Sequence, residues 1–410
     1  MGAMIVAAVC GVGCGAAVPP VPSKGGPAWT ELTSEHFTVW TDAAPAQARE
    51  LVRKMEHLRR VVVGLAFRSL PAGGRVLVIA LRDDKEFAAF APSQDTAAYA
   101  SPAQPPLWQP LIVLSEPSDQ QGNLTVAHEL THAISFGVIH HQPRWLSEGM
   151  GEFFETVALD PDATSVAVGA PPSYRGQSLQ RARFIPVAAL LQWKKIGEDE
   201  HSQYSTAWAL FTYLMNEHYG ELAQYMQLVD VEQKSWGETT QADAERMWSA
   251  AFPSLPLDKI DTTLRRWVIG GQHTTLHFNV APRPSPIAER ALGDGDVHAV
   301  RALLHLHVER KDLARAEAAA ALVTEATNPL ARMLLAVSEH ELPTPDEGRA
   351  VAAAHPADWR AWLVAALAIS GGHGDPADAE AARAKACSLS AHNPAVVPPP
   401  ELCPRQHSSP

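Results

Sequence analysis

Cysteine and basic charge are the two things in short supply in this 410-residue sequence. Its four cysteines lie near the two ends, as Cys10, Cys14, Cys387 and Cys403. The long cysteine-free body excludes a zinc finger, a disulfide framework and a cysteine nucleophile in the central region. The 33 Lys and Arg are outnumbered by 45 Asp and Glu, which gives a net charge of −12. Because neither half of the chain is basic, nucleic acid is not expected as a partner.

The composition is that of a globular protein with more than one domain. Hydrophobic residues make up 46% of the chain and charged residues 19%, which separates it from disordered and fibrous sequences. At roughly 100 to 200 residues per domain, the length predicts two or three domains.

The chain begins with a segment typical of export. Residues 1–18 are almost entirely small and apolar, and prolines follow. The run is short for a membrane span, which favours a removed or lipidated signal over a permanent helix. The stretch that ends at Cys14 resembles a bacterial lipobox, which implies cleavage before Cys14 and acylation of its thiol. It has Gly11 in place of Leu and no preceding Lys or Arg, so a mis-assigned start or an apolar leader is the alternative.

We therefore expect an exported bacterial protein, either a lipoprotein of the cell envelope or a periplasmic or secreted protein. A lipid anchor at Cys14 would be its only contact with a membrane. In an oxidising compartment, Cys387 and Cys403 could close a short disulfide-bonded loop. Two unrelated free thiols are the alternative.

Hydrophobic periodicity predicts an α+β fold in which strands come first and helices follow. Strand patterns occupy 36–41, 75–81 and 111–114, and helical patterns occupy 46–65 and 84–90 between them. The pattern is mostly helical from residue 124 to residue 269. This is the order of elements in an α+β domain.

Prolines at 282, 284 and 286 separate a second, Ala-rich helical part. Its short helical units resemble tetratricopeptide (TPR) repeats, whose period is about 34 residues. The signature residues of that repeat are poorly kept, so a plain α-helical capping domain is the alternative. Such helices could recruit a substrate or a protein partner.

The strongest functional signal is the H-E-x-x-H motif formed by His128, Glu129 and His132 within a helical pattern. Residues four apart share one face of a helix, so both imidazoles can reach one cation while Glu129 is angled towards its open side. Two imidazoles and a third protein ligand suit Zn²⁺ and leave one position for water. The carboxylate of Glu129 can then take the proton of that water as it attacks a carbonyl.

The surroundings of the motif decide its significance. The bare pattern would occur by chance in about one chain in twenty of this composition. Here a turn at Gly137 follows, and then a second helix with the sequence W-L-S-E-G, in which the acidic residue is Glu148. A short connection makes neighbouring helices antiparallel, which would return Glu148 to the level of the two histidines.

With these two motifs the sequence resembles the gluzincin class of zinc metallopeptidases. Its flanks, at 35–42, 76–90 and 204–210, resemble the bacterial peptidase MA-like domain, and the likeness covers roughly 29–233. His132 and Glu148 lie sixteen positions apart, slightly closer than in the best-known aminopeptidase branch, which leaves the shape of the cleft open.

The resemblance implies a role for each matching residue. His128, His132 and Glu148 would be the ligands of one Zn²⁺, and Glu129 the general base. We accordingly expect a leader and linker at 1–27, a metallopeptidase domain at 28–282, an α-helical TPR-like domain at 283–393 and a disordered tail at 394–410.

Other residues near the motifs allow two interpretations each. Glu152, one turn beyond Glu148, could accept the outer N–H of a ligand histidine, or be a solvated helix acid. Tyr204 aligns with a gluzincin tyrosine that donates a hydrogen bond to the developing oxyanion, but it also lies on an apolar helix face and could be core. His140 and His141, in the loop before the second helix, are rival ligands or exposed residues.

The strand at 111–114 precedes the active-site helix. In metallopeptidases of this type the strand at that place is an exposed edge that pairs with the substrate backbone. The alternative is an ordinary buried strand.

Two functions from different classes follow. The first is a zinc-dependent peptidase that hydrolyses peptide or protein substrates. The second is a catalytically inactive scaffold that binds partners through its C-terminal helices. The presence of all four core chemical positions favours the enzyme, and a non-peptide metal hydrolase is a weaker third possibility.

Overall fold

A computed structural model confirms the expected α+β class. Helices take up 59% of the described residues and strands 12%, with a mixed sheet towards the N-terminus and a helical region towards the C-terminus. The predicted lipidation site Cys14, the histidines His140 and His141, Cys403 and the expected tail at 394–410 lie outside the described residues. The structure describes residues 18–67, 75–93, 96–103, 107–115, 120–139, 142–159, 164–171, 184–194, 199–232, 240–281 and 283–391.

The elements follow the order that the periodicity predicts, with several additions. The strands are β1 (Trp29–Thr33), β2 (Phe37–Thr41), β3 (Val76–Leu81), β4 (Ala98–Ser101), β5 (Leu111–Ser115), β6 (Ala158–Leu159), β7 (Ser165–Val168), β8 (Leu276–Asn279) and β9 (Ala288–Leu292). The helices up to β8 are α1 (Pro45–Ala66), α2 (Asp84–Ala88), α3 (Gln120–Phe136), α4 (Arg144–Glu155), α5 (Val187–Leu190), α6 (Glu200–Glu217), α7 (Tyr219–Glu232), α8 (Gln241–Ala251) and α9 (Leu257–Ile269). Within the described ranges, no helix is both long and apolar enough to cross a membrane.

Six strands form the main sheet in the order β4-β5-β3-β2-β1-β9. The three central neighbours β2, β3 and β5 are parallel, with Val39 opposite Val78 and Val78 opposite Ile112. The outer strands β1, β4 and β9 run antiparallel to their neighbours. A second sheet of three short antiparallel strands, β6-β7-β8, lies beside the helical part.

The main sheet is covered on both faces, which explains the continuous apolar run of β3. All six residues of β3 are buried. Val78 points into a core that includes side chains of α1 and α3, whereas Leu77 and Ile79 point into a second core shared with the C-terminal helices. A strand buried on both faces is apolar at every position rather than at alternate positions.

Of the two interpretations of the strand at 111–114, the buried strand is correct and the exposed edge is wrong. β5 pairs with β3 on one side and with β4 on the other, and residues Leu111 to Leu114 are all buried. The edge position next to it belongs to β4, a short strand that also contacts α3. Its sequence, A-Y-A-S, has too little periodicity to predict a strand.

The C-terminal region begins with a strand that joins the main sheet. β9 pairs with β1, and Glu31 stands directly opposite Arg290, with Oε2 to Nη2 at 3.2 Å. The helices that follow are α10 (Asp294–His307), α11 (Lys311–Thr324), α12 (Pro329–Ser338), α13 (Pro345–Ala354), α14 (Trp359–Gly371) and α15 (Pro376–Ala391). Cys387 in α15 is disulfide-bonded.

Candidate metal centre

The two helices that carry the sequence motifs pack against each other. α3 contributes His128 and His132, one turn apart on the same face, and α4 contributes Glu148. Every residue of α4 from Trp145 to Glu155 is buried. Trp145 packs this helix against its neighbours, because its ring contacts those of Tyr225 and Trp248 at centroid distances of 5.6 and 6.3 Å.

Three possible ligand atoms converge on one point. Glu148 Oε2 lies 3.2 Å from His132 Nε2 and 3.5 Å from His128 Nε2. The two imidazole rings stand almost perpendicular, with an interplanar angle of 80°. Ligands at 2.0 to 2.1 Å from a tetrahedral Zn²⁺ lie about 3.3 Å from one another. The observed separations therefore fit the donor set of a zinc site, as the sequence predicts for these three residues.

The outer nitrogens of both histidines have partners. Glu155 Oε2 lies 3.1 Å from His128 Nδ1, and Ser147 Oγ lies 2.9 Å from His132 Nδ1. Because a carboxylate only accepts hydrogen bonds, Nδ1 of His128 must carry the proton when this ring is neutral, which leaves the lone pair on Nε2. The contacts at Nδ1 also orient both rings so that each Nε2 faces Glu148.

Glu155 occupies the place that we expected for Glu152. The two acids lie three residues apart on α4, and their carboxylates form a second cluster with His128 in which the ligand atoms lie within 4.8 Å of one another. Glu152 is 1% exposed, so it is not a solvated helix acid. The sequence signal for Glu155 was its spacing of seven residues from Glu148, which places both on one face of a helix.

The charges of the cluster favour cation binding. Burial alone would raise the pKa of Glu148, but His132 and His128 outweigh it and hold this pKa well below its ordinary value. Burial disfavours the imidazolium of His128, but hydrogen bonds to Glu148 and Glu155 and the charge of Glu129 raise its pKa. The carboxylates thus create a negative potential in which a proton and a metal ion compete for the histidine nitrogens.

Glycine is required beside the cluster. A Cβ on Gly151 would lie 2.9 Å from Cε1 and Nε2 of His128, and a Cβ on Gly149 would lie 2.6 Å from the carbonyl oxygen of Ala207 in α6. Only glycine lets α4 approach both α3 and α6 this closely. The sequence pattern W-L-S-E-G-M-G-E therefore has a packing reason for both of its glycines.

The two predicted catalytic groups interact electrostatically with residues of this cluster. Glu129 is half-buried, and its charge contributes to the raised pKa of His128. Tyr204 in α6 packs edge-on against Trp193 with ring centroids 5.2 Å apart. Burial, followed by the charge of Glu148, raises the pKa of Tyr204, so its hydroxyl stays a neutral hydrogen-bond donor.

Comparison with known protein families matches the part of the chain that carries this cluster. Residues 123–234 match a family described as "Protein of unknown function (DUF1570)". This range contains the H-E-x-x-H motif, Glu148, Glu155 and Tyr204. No curated protein matches the chain.

Proposed function

We propose that this protein is a zinc-dependent peptidase of the gluzincin type. The observation that carries the proposal is that Oε2 of Glu148 lies within 3.5 Å of Nε2 of both His128 and His132, with the three ligand atoms within 4.8 Å of one another. Partners on both outer nitrogens support it, since metal-binding histidines almost always donate their other N–H to a carboxylate or another acceptor. The zincin-like identity of the α+β domain is part of the same proposal.

The side chains around the cluster have separate tasks in this proposal. Bound zinc would supply a Lewis acid that lowers the pKa of a water to about 7. Glu129 takes the proton of the attacking water and passes it to the leaving amine. Tyr204, neutral and close to Glu148, donates a hydrogen bond to the carbonyl oxygen as negative charge develops there.

The substrate in this proposal is a peptide in extended conformation. β4, not β5, is the edge strand next to the active-site helix, and a sheet edge offers unpaired backbone groups to an added strand. Recognition through main-chain hydrogen bonds suits a peptide or an unfolded protein segment.

Two measurements test the proposal. Purified protein should retain about one equivalent of zinc by elemental analysis, and His128→Ala should lose it. Glu129→Gln should keep the metal but lose several orders of magnitude in cleavage of a quenched-fluorescence peptide library, since an amide cannot accept the proton. Glu50→Gln is the matched control, because Glu50 is an exposed acid of α1 with 72% of its side chain accessible.

Three outcomes would contradict parts of the proposal. Equal zinc retention by His128→Ala would contradict the ligand assignment. Undiminished cleavage by Glu129→Gln would contradict the mechanism. Zinc binding without cleavage of any peptide would favour the inactive scaffold, which acts through the C-terminal helices.

Export remains a proposal as well. The disulfide bond of Cys387 supports it, because such bonds persist mainly in oxidising compartments. Thiol labelling of native protein before and after reduction tests the bond, and mass analysis of the membrane fraction tests acylation at Cys14.

A further inference from the structure

The two oxygens of Glu148 have different partners. Oε2 faces the histidine Nε2 atoms, whereas Oε1 accepts a hydrogen bond from Nη1 of Arg144 at 3.2 Å. Arg144 lies four residues before Glu148 on α4, so the two side chains are neighbours on the helix surface. One oxygen of the carboxylate therefore binds the guanidinium of Arg144, and the other faces the candidate metal position.

The guanidinium of Arg144 is fixed by a second contact. It lies over the ring of Trp193 at 5.6 Å from the centroid. The same tryptophan packs edge-on against Tyr204. A cation on the face of a tryptophan is attracted by the ring quadrupole. Arg144 is 31% exposed, but the oxygen that it binds belongs to a side chain that is only 10% exposed. The ion pair is thus partly desolvated and stronger than a surface pair.

The position of Arg144 is unfavourable for the helix itself. It is the first residue of α4, and the first turn contains no acidic residue. Because the N-terminus of a helix carries partial positive charge, an arginine there costs stability unless another group compensates. The hydrogen bond to Glu148 is that compensation.

We propose that Arg144 is a positioning residue that makes Glu148 a one-oxygen ligand of the metal, an inference that rests on the proposed zinc function. By occupying Oε1, the guanidinium leaves only Oε2 for the cation. Catalytic zinc sites have three protein ligands and one position for water. A carboxylate that bound through both oxygens would crowd that position, so Arg144 keeps it open.

Cobalt substitution tests this role without relying on activity. Co²⁺ is loaded into the full-length protein, and its visible spectrum reports the coordination number, since four-coordinate Co²⁺ absorbs much more strongly than five-coordinate Co²⁺. Arg144→Ala should lower the absorption several-fold as Oε1 joins the metal, whereas Arg144→Lys, which keeps a cationic donor, should restore most of it. Arg53→Ala is the matched control, because Arg53 also pairs with a glutamate within one helix but is exposed.

A second variant and the zinc affinity complete the experiment. Trp193→Leu removes the support of the guanidinium and should shift the spectrum in the same direction by a smaller amount. Spectra of Arg144→Ala and Trp193→Leu that match wild type, with zinc affinity by chelator competition changed less than about twofold, would overturn the inference. Failure of the proposed function is a different result, since wild type would then bind no cobalt or, with cobalt bound, cleave no peptide.

Discussion

The protein should lose stability between pH 5 and pH 8 because of one buried glutamate far from the metal centre. Glu86 in α2 and Asp42 after β2 are both buried, and Nε of Arg82 lies 3.7 Å from a carboxylate oxygen of Glu86 and 3.5 Å from one of Asp42. Burial and the neighbouring Asp42 raise the pKa of Glu86 to about 8. Arg301 of α10, 3% exposed, approaches the same pair from the C-terminal region.

The magnitude follows from the two pKa values. The unfolded chain releases the proton of Glu86 near pH 4.5, whereas the folded protein keeps it up to about pH 8. Since the folded state then binds more protons than the unfolded state, the free energy of unfolding falls as the pH rises through this window. The loss is about 3 to 4 kcal/mol between pH 5 and pH 8, at about 1.4 kcal/mol per pKa unit.

Glu86→Gln isolates this effect. The amide has the shape of the protonated acid, but it does not titrate. We expect similar stability to wild type at pH 5 and about 3 to 4 kcal/mol more at pH 8. Urea unfolding with chelator present, at four pH values, measures the difference, and Glu50→Gln on the exposed face of α1 is the control. A Glu86→Gln curve that falls as steeply as that of wild type would refute the reasoning.

Two further predictions concern the metal centre. Gly151→Ala should weaken zinc binding at least tenfold, because the new Cβ would meet the ring of His128 at 2.9 Å, whereas Gly64→Ala in α1, with nothing within 4 Å, should leave binding unchanged. Glu155→Gln should cost 10- to 100-fold in zinc affinity, because it weakens the hydrogen bond that orients His128. Chelator competition measures both, and unchanged affinity in either variant contradicts the assigned contact.

Local spacing in the sequence identified the residues of the candidate metal centre more readily than the pairing of the strands. His128, His132 and Glu148 are recognisable because they lie on two consecutive helices with fixed helical spacing. Arg144 and Glu155 follow from the same helical geometry, at four residues before and seven after Glu148, but only the orientation of α4 shows what they contact. Local spacing therefore finds metal ligands more readily than the groups that orient them.

Strand pairing depends on contacts that local patterns do not contain. β9 has four exposed residues out of five and no alternation, so nothing in its own sequence predicts a strand. It forms because β1 offers an edge and because Glu31 and Arg290, 259 positions apart, stand opposite each other. The same reason explains why the sequence could not decide whether β5 is an edge, since the strand that covers it, β4, has no detectable pattern of its own.

The C-terminal helices are part of the structure that positions the candidate metal centre. The sheet has α3 on one face and α10 on the other, and alternate residues of β3 are buried in the two cores. Without residues beyond β8, Leu77 and Ile79 would lose the C-terminal helices packed over them, and β1 would lose one of its two partner strands. Exposure of one apolar face weakens a sheet on both sides, because the two faces share one backbone. The helical region therefore stabilises the support of α3 even though no residue of the cluster lies in it.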